Sequence, residues 1–250
     1  VTRITGYGQT GPNKEMSGFG APCTAFSGVV YTTGYPDKPP VDPSFSLADY
    51  VAGMNAVIGT MFALYYRDVA EGGKPQEIDV ALYEGLFRMQ DSVIADYDIN
   101  GKVRERQERM NGASVPSGKY CTKDGKWVQL TCATDNSFKY LAEAMGRRDL
   151  FEKYPTMEDR FTNEDYIRKE TVDWMAAHEA KDIVTVCQAN KVALSPIYSI
   201  AEIFEDAQYK ARHNLLEFDS PDFGKVHIPS VCPVLSETPG EVRWIGQPIG

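Results

Sequence analysis

The stretch PSFSLADYVAGMNAVIGTMFALYYRD, residues 43–68, decides the fold of this chain. Alanines and glycines between its larger side chains indicate that another backbone packs closely along it. The larger apolar residues recur at helical spacing, at Val51, Met54, Val57, Ile58, Met61 and Leu64. The stretch therefore predicts a long helix that packs closely against a neighbouring segment.

Asp49 is an acid in the first turn of this predicted helix. The spacing of Ser46 and Asp49 fits a capping box, in which the acid reaches back to the backbone of the cap residue. A carboxylate at a helix N-terminus is also held ionised, and it can attack an activated acyl group as a nucleophile. Spacing alone favours the cap and leaves the nucleophile open.

The segments around this helix predict an α/β layer. VTRITGYG, residues 1–8, is typical of a buried strand that runs into a glycine turn. EIDVALYE, residues 77–84, predicts a second strand, and LFRMQDSVIADYDIN, residues 86–100, predicts a second helix. Strands that alternate with helices in this order are typical of an α/β protein.

The pattern changes near residue 112. Two alternating runs in residues 118–132 flank Asp124-Gly125, which predicts a β-hairpin. Amphipathic helices are predicted at about 137–146, 163–178 and 180–189. We therefore assign residues 113–195 to a small inserted α+β domain, and residues 1–112 and 196–250 to a large domain.

Charge and composition exclude several classes of partner. The net charge of −9 argues against nucleic acid and anionic membrane surfaces. No apolar run is expected to reach transmembrane length. The five cysteines are scattered without a CxxC pair, which favours a reducing cytoplasm. The three histidines lack metal-ligand spacing, so no metal site is predicted.

The glycine turn by itself carries little functional information. Gly6, Gly8 and Gly11 do not have the spacing of a phosphate-binding loop, and the lysine of a P-loop is absent. A tight turn is the favoured interpretation of this segment when it is taken alone.

Four segments taken together are more specific than any one of them. In order and spacing they resemble the class III (family III) CoA-transferases, in particular the carnitine/crotonobetaine CoA-transferase branch. The segments are ITGYGQTGP at 4–12, AFSGVVYTTG at 25–34, LADYVAGMNAVIGTMFALYYRD at 47–68 and PQEIDVALYEGLFRMQ at 75–90.

This resemblance implies a fold, a reaction and a site. The fold would be a Rossmann-like CoA-binding domain with the small domain inserted. Asp49 would be the nucleophile and would carry CoA as an aspartyl thioester, with Gly6, Tyr7 and Gly8 beside the thioester end of coenzyme A. The partners would be an acyl-CoA and a small organic acid, without metal, and the full-length protein would be an interlocked homodimer.

Departures from related sequences narrow the activity. The α-methylacyl-CoA racemases of the same superfamily use a histidine where this chain has Phe19, which disfavours racemisation. Formyl-CoA transferases carry a glutamate where this chain has Gly20 and a lysine where it has Ser17. Formate and oxalate are therefore disfavoured, while carnitine-like, 2-hydroxy and aryl acids stay open.

The ends of the chain suggest a third hypothesis. Residue 1 is Val and not Met, and the N-terminal half that supplies most CoA contacts in the family has no counterpart here. We therefore expect a chain truncated at both ends. An inactive fragment is the alternative to an enzyme.

Overall fold

The structure is a computed structural model that describes residues 1–107 and 114–246. The chain forms two compact units, Val1–Gly112 and Ala113–Gly250. Helices and strands are mixed in both units, which confirms the predicted α/β class. The predicted boundary after residue 112 lies outside the described residues. The assignment of 196–250 to the large domain stays a prediction.

The first unit alternates strands and helices as the sequence predicts. Strands β1 and β2 are parallel, and Thr5 at the end of β1 is level with Ala81 at the end of β2. Their carboxyl ends therefore lie at the same edge. The elements are β1 Thr2–Thr5, α1 Gly20–Phe26, α2 Val29–Thr32, α3 Leu47–Val69, β2 Ile78–Ala81, α4 Leu82–Arg88 and α5 Val93–Asn100.

Helix α3 forms as predicted, but only one face of its first half is buried, at Ala48, Val51, Ala52 and Ala56. The other apolar residues of the predicted pattern are exposed, namely Met54, Val57, Ile58, Met61 and Leu64. A side chain on Gly59 of α3 would place its Cβ 3.0 Å from Ile78 of β2, and one on Gly85 of α4 would place it 2.6 Å from Val51 of α3. Such distances are shorter than ordinary contact, so a side chain at either position would displace the side chain that faces it. The buried core around the helix comprises Cys23, Ala48, Val51, Ala52, Ala56, Val80, Leu82 and Leu86.

The prediction of one helix over residues 86–100 is wrong. Helix α4 ends at Arg88 and α5 begins at Val93. Asp91, between them, has a positive φ of 54°, which ends the helical path. Asp tolerates this conformation better than most residues, and the apolar pattern on both sides hides the break in the sequence.

The prediction that no apolar run reaches transmembrane length is also wrong. Among the described helices, α3 is long and apolar enough to cross a membrane by length and composition, with a mean hydropathy of 1.4. Glycines and tyrosines within it conceal the run in the sequence. Length and composition alone do not assign α3 to a membrane, because the core helix of a soluble protein meets the same criterion.

The second unit contains the predicted hairpin and helices. Strands β3 and β4 pair in antiparallel register around the turn at Gly125, whose φ is 73°, and β5 joins β4. The short helices α7 and α8 were not predicted. The elements are β3 Gly118–Cys121, β4 Trp127–Thr131, α6 Asp135–Ala144, α7 Arg148–Lys153, α8 Met157–Thr162, α9 Glu164–Ala177, α10 Ala180–Ala189, β5 Ala193–Pro196, α11 Ile200–Glu205, α12 Ala207–Ala211, β6 Leu215–Ser220 and β7 Gly224–Pro229.

The core of the second unit surrounds a buried cation. Arg160 is fully buried, and its guanidinium lies 4.8 Å from the centre of the Phe138 ring. It donates hydrogen bonds to the carbonyls of Val115 and Pro155 and to the carboxylate of Asp135. Because its donors reach acceptors on separate segments, this one side chain holds those segments together.

Candidate active site

The glycine turn follows the end of β1. Gly8 is buried with a φ of 88°, a conformation that favours glycine. Its N–H donates to Thr5 Oγ1 at 3.0 Å, and the N–H of Gln9 donates to Asp79 Oδ2 at 2.9 Å. Asp79 is on β2, so the neighbouring strand holds the turn in place.

Gly6 contacts a second glycine in the segment that leads to α1. A Cβ on Gly6 would lie 2.6 Å from the Cα of Gly18, and a Cβ on Gly18 would lie 2.5 Å from the Cα of Gly6. Neither glycine has a positive φ. The close approach of the two backbones is therefore what requires glycine at both positions.

Gly6→Ala should destabilise the protein, because the added methyl group meets backbone that cannot move aside. Overpacking of this kind costs roughly 1–3 kcal/mol. Urea unfolding would measure the loss. Thr10→Ala is the control, since Thr10 is an exposed residue of the same loop. Equal stability of the two variants would contradict the close packing.

Cys23 of α1 joins the glycine turn to Asp49. Its side chain is fully buried, and its thiol donates to the carbonyl of Gly6 at 3.4 Å. Burial raises the pKa of this thiol, the negative charge of Asp49 raises it further, and a hydrogen bond with the Tyr7 side chain opposes both effects. The thiol is therefore protonated at neutral pH. Cys23 thus interacts both with the turn at Gly6 and Tyr7 and with Asp49, which is distant from that turn in the sequence.

Asp49 presents a free carboxylate. It lies in the first turn of α3 and is exposed, and within residues 1–107 and 114–246 it accepts no hydrogen bond and forms no ion pair. Its carboxylate lies over the Cα of Gly20, in the space that a Cβ would occupy there. Gly20 is the first residue of α1, so the two helix starts meet at Asp49.

The capping-box interpretation of Ser46 and Asp49 is wrong. The Ser46 side chain makes no cap hydrogen bond, and its backbone ψ of 67° is far from the extended value that places a cap side chain over the helix end. Ser199 has a ψ of 165° and forms a complete capping box with Glu202. The sequence signature is similar in the two places, and the backbone entering the helix decides between them.

Aromatic rings support the glycine turn from the side. The Tyr7 ring meets Phe26 of α1 edge-on at 5.2 Å, and Phe26 meets Tyr83 of α4 at 5.0 Å. Edge-to-face contacts of this kind are favourable between aromatic rings. Tyr7 is thus fixed by packing against two helices.

A small cavity lies between α1 and the segment that enters α3. Its volume is about 280 Å³. Ser46, three residues before Asp49, and Ala21, next to Gly20, both line it, so it adjoins the site. The complete lining is Ala21, Thr24, Asp42, Pro43, Ser44, Phe45 and Ser46.

The sequence did not identify Cys23 or Asp79 as parts of the site, whereas Gly20 was noted as the position at which formyl-CoA transferases carry a glutamate. Phe19, at the position of the racemase histidine, is 74% exposed and directly precedes Gly20. Among the described residues, no group of His, Cys, Asp or Glu is arranged to hold a metal ion. A reaction without metal stays a prediction, as does the contact of Gly6, Tyr7 and Gly8 with coenzyme A.

Known proteins that are similar to this chain in sequence are CoA-transferases. The chain is 39% identical over 253 residues to the succinyl-CoA–L-malate CoA-transferase alpha subunit of Chloroflexus aurantiacus, with 100% of this chain and 59% of the relative covered. It is 40% identical over 255 residues to the beta subunit from that organism, covering 100% of this chain and 62% of the relative. The chain therefore spans about three fifths of the length of these relatives.

A solved structure shares the fold. A CAIB/BAIF family protein from Brucella suis matches with a TM-score of 0.75 and 26% identity, over 95% of this chain and 61% of that protein. The family model described as CoA-transferase family III matches residues 1–249. The chain belongs to the family III CoA-transferases.

Proposed function

We propose that this chain carries the nucleophile of a CoA-transferase that moves CoA from succinyl-CoA to a dicarboxylic acid. The observation that carries the proposal is the Asp49 carboxylate, which is exposed, without a hydrogen bond among the described residues, and set against Gly20 at the start of α1. A carboxylate without an internal partner keeps its lone pairs available for attack.

The reaction would proceed by exchange of acyl groups at Asp49. Its carboxylate oxygen attacks the succinyl carbonyl carbon, the C–S bond breaks, and CoA leaves as the thiolate. The thiolate attacks the aspartyl carbonyl carbon of the resulting anhydride, and succinate leaves with the C–O bonding pair. These steps separate one difficult transfer into easier ones of similar energy.

The second half reverses the first with a new acid. The acceptor carboxylate attacks the aspartyl thioester and releases the thiolate, which then attacks the acceptor acyl carbon. The new acyl-CoA leaves, and the Asp49 carboxylate is restored. One thioester is broken and one of similar energy is formed over the cycle, so the transfer needs no ATP. Transfer without a metal is part of the proposal.

The turn at Gly6–Gly8 would face the thioester end of CoA. The N–H groups of Gly8 and Gln9 already have acceptors in Thr5 and Asp79. The developing oxyanion would therefore be stabilised by the part of the turn at Gly6 and Tyr7, and not by the N–H groups of Gly8 and Gln9. The fixed Tyr7 ring supports this assignment.

The two malate-specific relatives favour one of the open acceptor classes. Their names specify succinyl-CoA and L-malate, a 2-hydroxy dicarboxylic acid. We propose the same donor and this acceptor class for the present chain, over carnitine-like and aryl acids. Both the alpha and the beta subunit match to a similar extent, which supports a subunit assembly. We keep the cytoplasmic homodimer as part of the proposal.

Intact mass spectrometry would test the proposal. The protein as its gene encodes it is incubated with succinyl-CoA in the absence of acceptor, and then with hydroxylamine. We expect a covalent CoA adduct that hydroxylamine removes, and malyl-CoA after L-malate is added. The absence of an adduct would contradict the proposal. Carnitine and an aryl acid serve as comparison acceptors.

A further inference from the structure

Gly20 occupies an unusual position relative to Asp49. It is buried at the start of α1, and its Cα is covered by the Asp49 carboxylate. A Cβ at residue 20 would overlap Oδ2 of Asp49 and lie 3.0 Å from its Cγ. The carboxylate therefore rests where any other residue would have a side chain.

The backbone of Gly20 does not itself require glycine. Residue 20 is absent from the described glycines with positive φ, and it lies in a helix, where alanine is favoured over glycine. The three atoms nearest to a Cβ at residue 20 all belong to the Asp49 carboxyl group. The obstacle to a side chain here is the nucleophile candidate itself.

This environment differs from that of the nearby glycines. The Cβ atoms of Gly6 and Gly18 would meet backbone, which is held by the strand and by the α1 segment. At Gly20 the obstacle is the end of an exposed side chain that can rotate away. A methyl group at residue 20 would thus move the carboxylate and leave the fold intact.

We propose that Gly20 is a positioning residue for Asp49. Its missing side chain leaves the space in which the carboxylate lies against the start of α1. The catalytic consequence rests on the proposed function, whereas the position of the carboxylate does not. A misplacement of about 1 Å at a reacting group can cost on the order of 100-fold in rate.

Gly20→Ala tests this proposal in two independent ways. Crystal structures of the wild type and the variant should show the Asp49 carboxylate displaced, by roughly 1 Å or more, to reach ordinary contact distance from the new methyl group. Single-turnover measurements with succinyl-CoA should show adduct formation slowed by about 100-fold, with the concentration for half-maximal rate unchanged. Thermal unfolding should show no loss of stability.

Gly53→Ala is the matched control. Gly53 also lies in a helix without positive φ, but its Cβ would meet nothing within 4 Å. It should leave both the carboxylate and the rate unchanged. If Gly20 had a purely structural role, Gly20→Ala would lower the unfolding temperature. We expect no such loss, because Asp49 can rotate away from the new methyl group.

Two results would overturn the proposal. One is a Gly20→Ala structure with the Asp49 carboxylate in its original place, and the other is a displaced carboxylate with a wild-type rate of adduct formation. If the wild type forms no adduct, the proposed function fails. The crystal structures then decide separately whether Gly20 determines the position of the carboxylate.

Discussion

Asp49→Asn should abolish the covalent CoA adduct and reduce transfer from succinyl-CoA by at least about 1,000-fold. The amide has nearly the shape of the carboxylate but lacks the charge and the nucleophilic oxygen. Because Asp49 is exposed and has no hydrogen bond or ion pair within the described chain, its replacement removes no stabilising contact. The free energy of unfolding should change by no more than about 0.5 kcal/mol.

The measurement is the rate of malyl-CoA formation together with the intact mass after succinyl-CoA treatment. Asp91→Asn is the control, since Asp91 is another exposed aspartate of the first unit, and Asn accepts its positive φ. Asp49→Ala guards against slow deamidation of the new Asn. An adduct that persists in both Asp49 variants would place the nucleophile elsewhere.

Arg160→Met should destabilise the second unit by roughly 1–3 kcal/mol, because a buried carbonyl loses its donor. Met fills much of the same volume but has no donor. The carbonyls of Val115 and Pro155, which accept from Arg160 at 3.2 and 3.0 Å, would lose that hydrogen bond. The buried carbonyl of Val115, left without a donor, costs about 1–3 kcal/mol, whereas Pro155 is exposed and its carbonyl can accept from water. The contact with the Phe138 ring would be lost as well.

Urea unfolding followed by circular dichroism would measure this loss. Arg148→Met is the matched control, because the Arg148 side chain is 70% exposed and pairs with Glu143 at the surface. Such a pair contributes no more than about 1 kcal/mol. A loss below about 1 kcal/mol for Arg160→Met would mean that its hydrogen bonds barely offset the cost of burying the charge.

Local signals predicted the elements that have local causes. The helical spacing around Val51 and Met54 specified α3, and Asp124-Gly125 specified the hairpin, because the turn conformation depends on those two residues. The break between α4 and α5 depends on the backbone of Asp91, and the apolar spacing on both sides of it continues as though the helix did. The short helices α7 and α8 have too few residues for a periodic pattern.

The candidate site was predictable only in part. The resemblance of the quoted segments singled out Asp49 and the Gly6–Gly8 turn. Their approach to each other depends on how α1 packs against both, through Cys23 and Gly20, and no spacing in the sequence encodes that distance. Ser46 shows the opposite case, in which a valid local signature is overruled by the path of the chain into the helix.

The tight contacts made by Gly59 and Gly85 have a mechanical consequence for Asp49. Gly59 of α3 packs against Ile78, and Val51 of α3 packs against Gly85 of α4, so α3 makes close contacts at two heights along its axis. A shift of α3 by one residue would move it about 1.5 Å along its axis and would break both close contacts. Contacts two and ten residues after Asp49 therefore fix the axial position of the first turn of α3, and with it the position of Asp49.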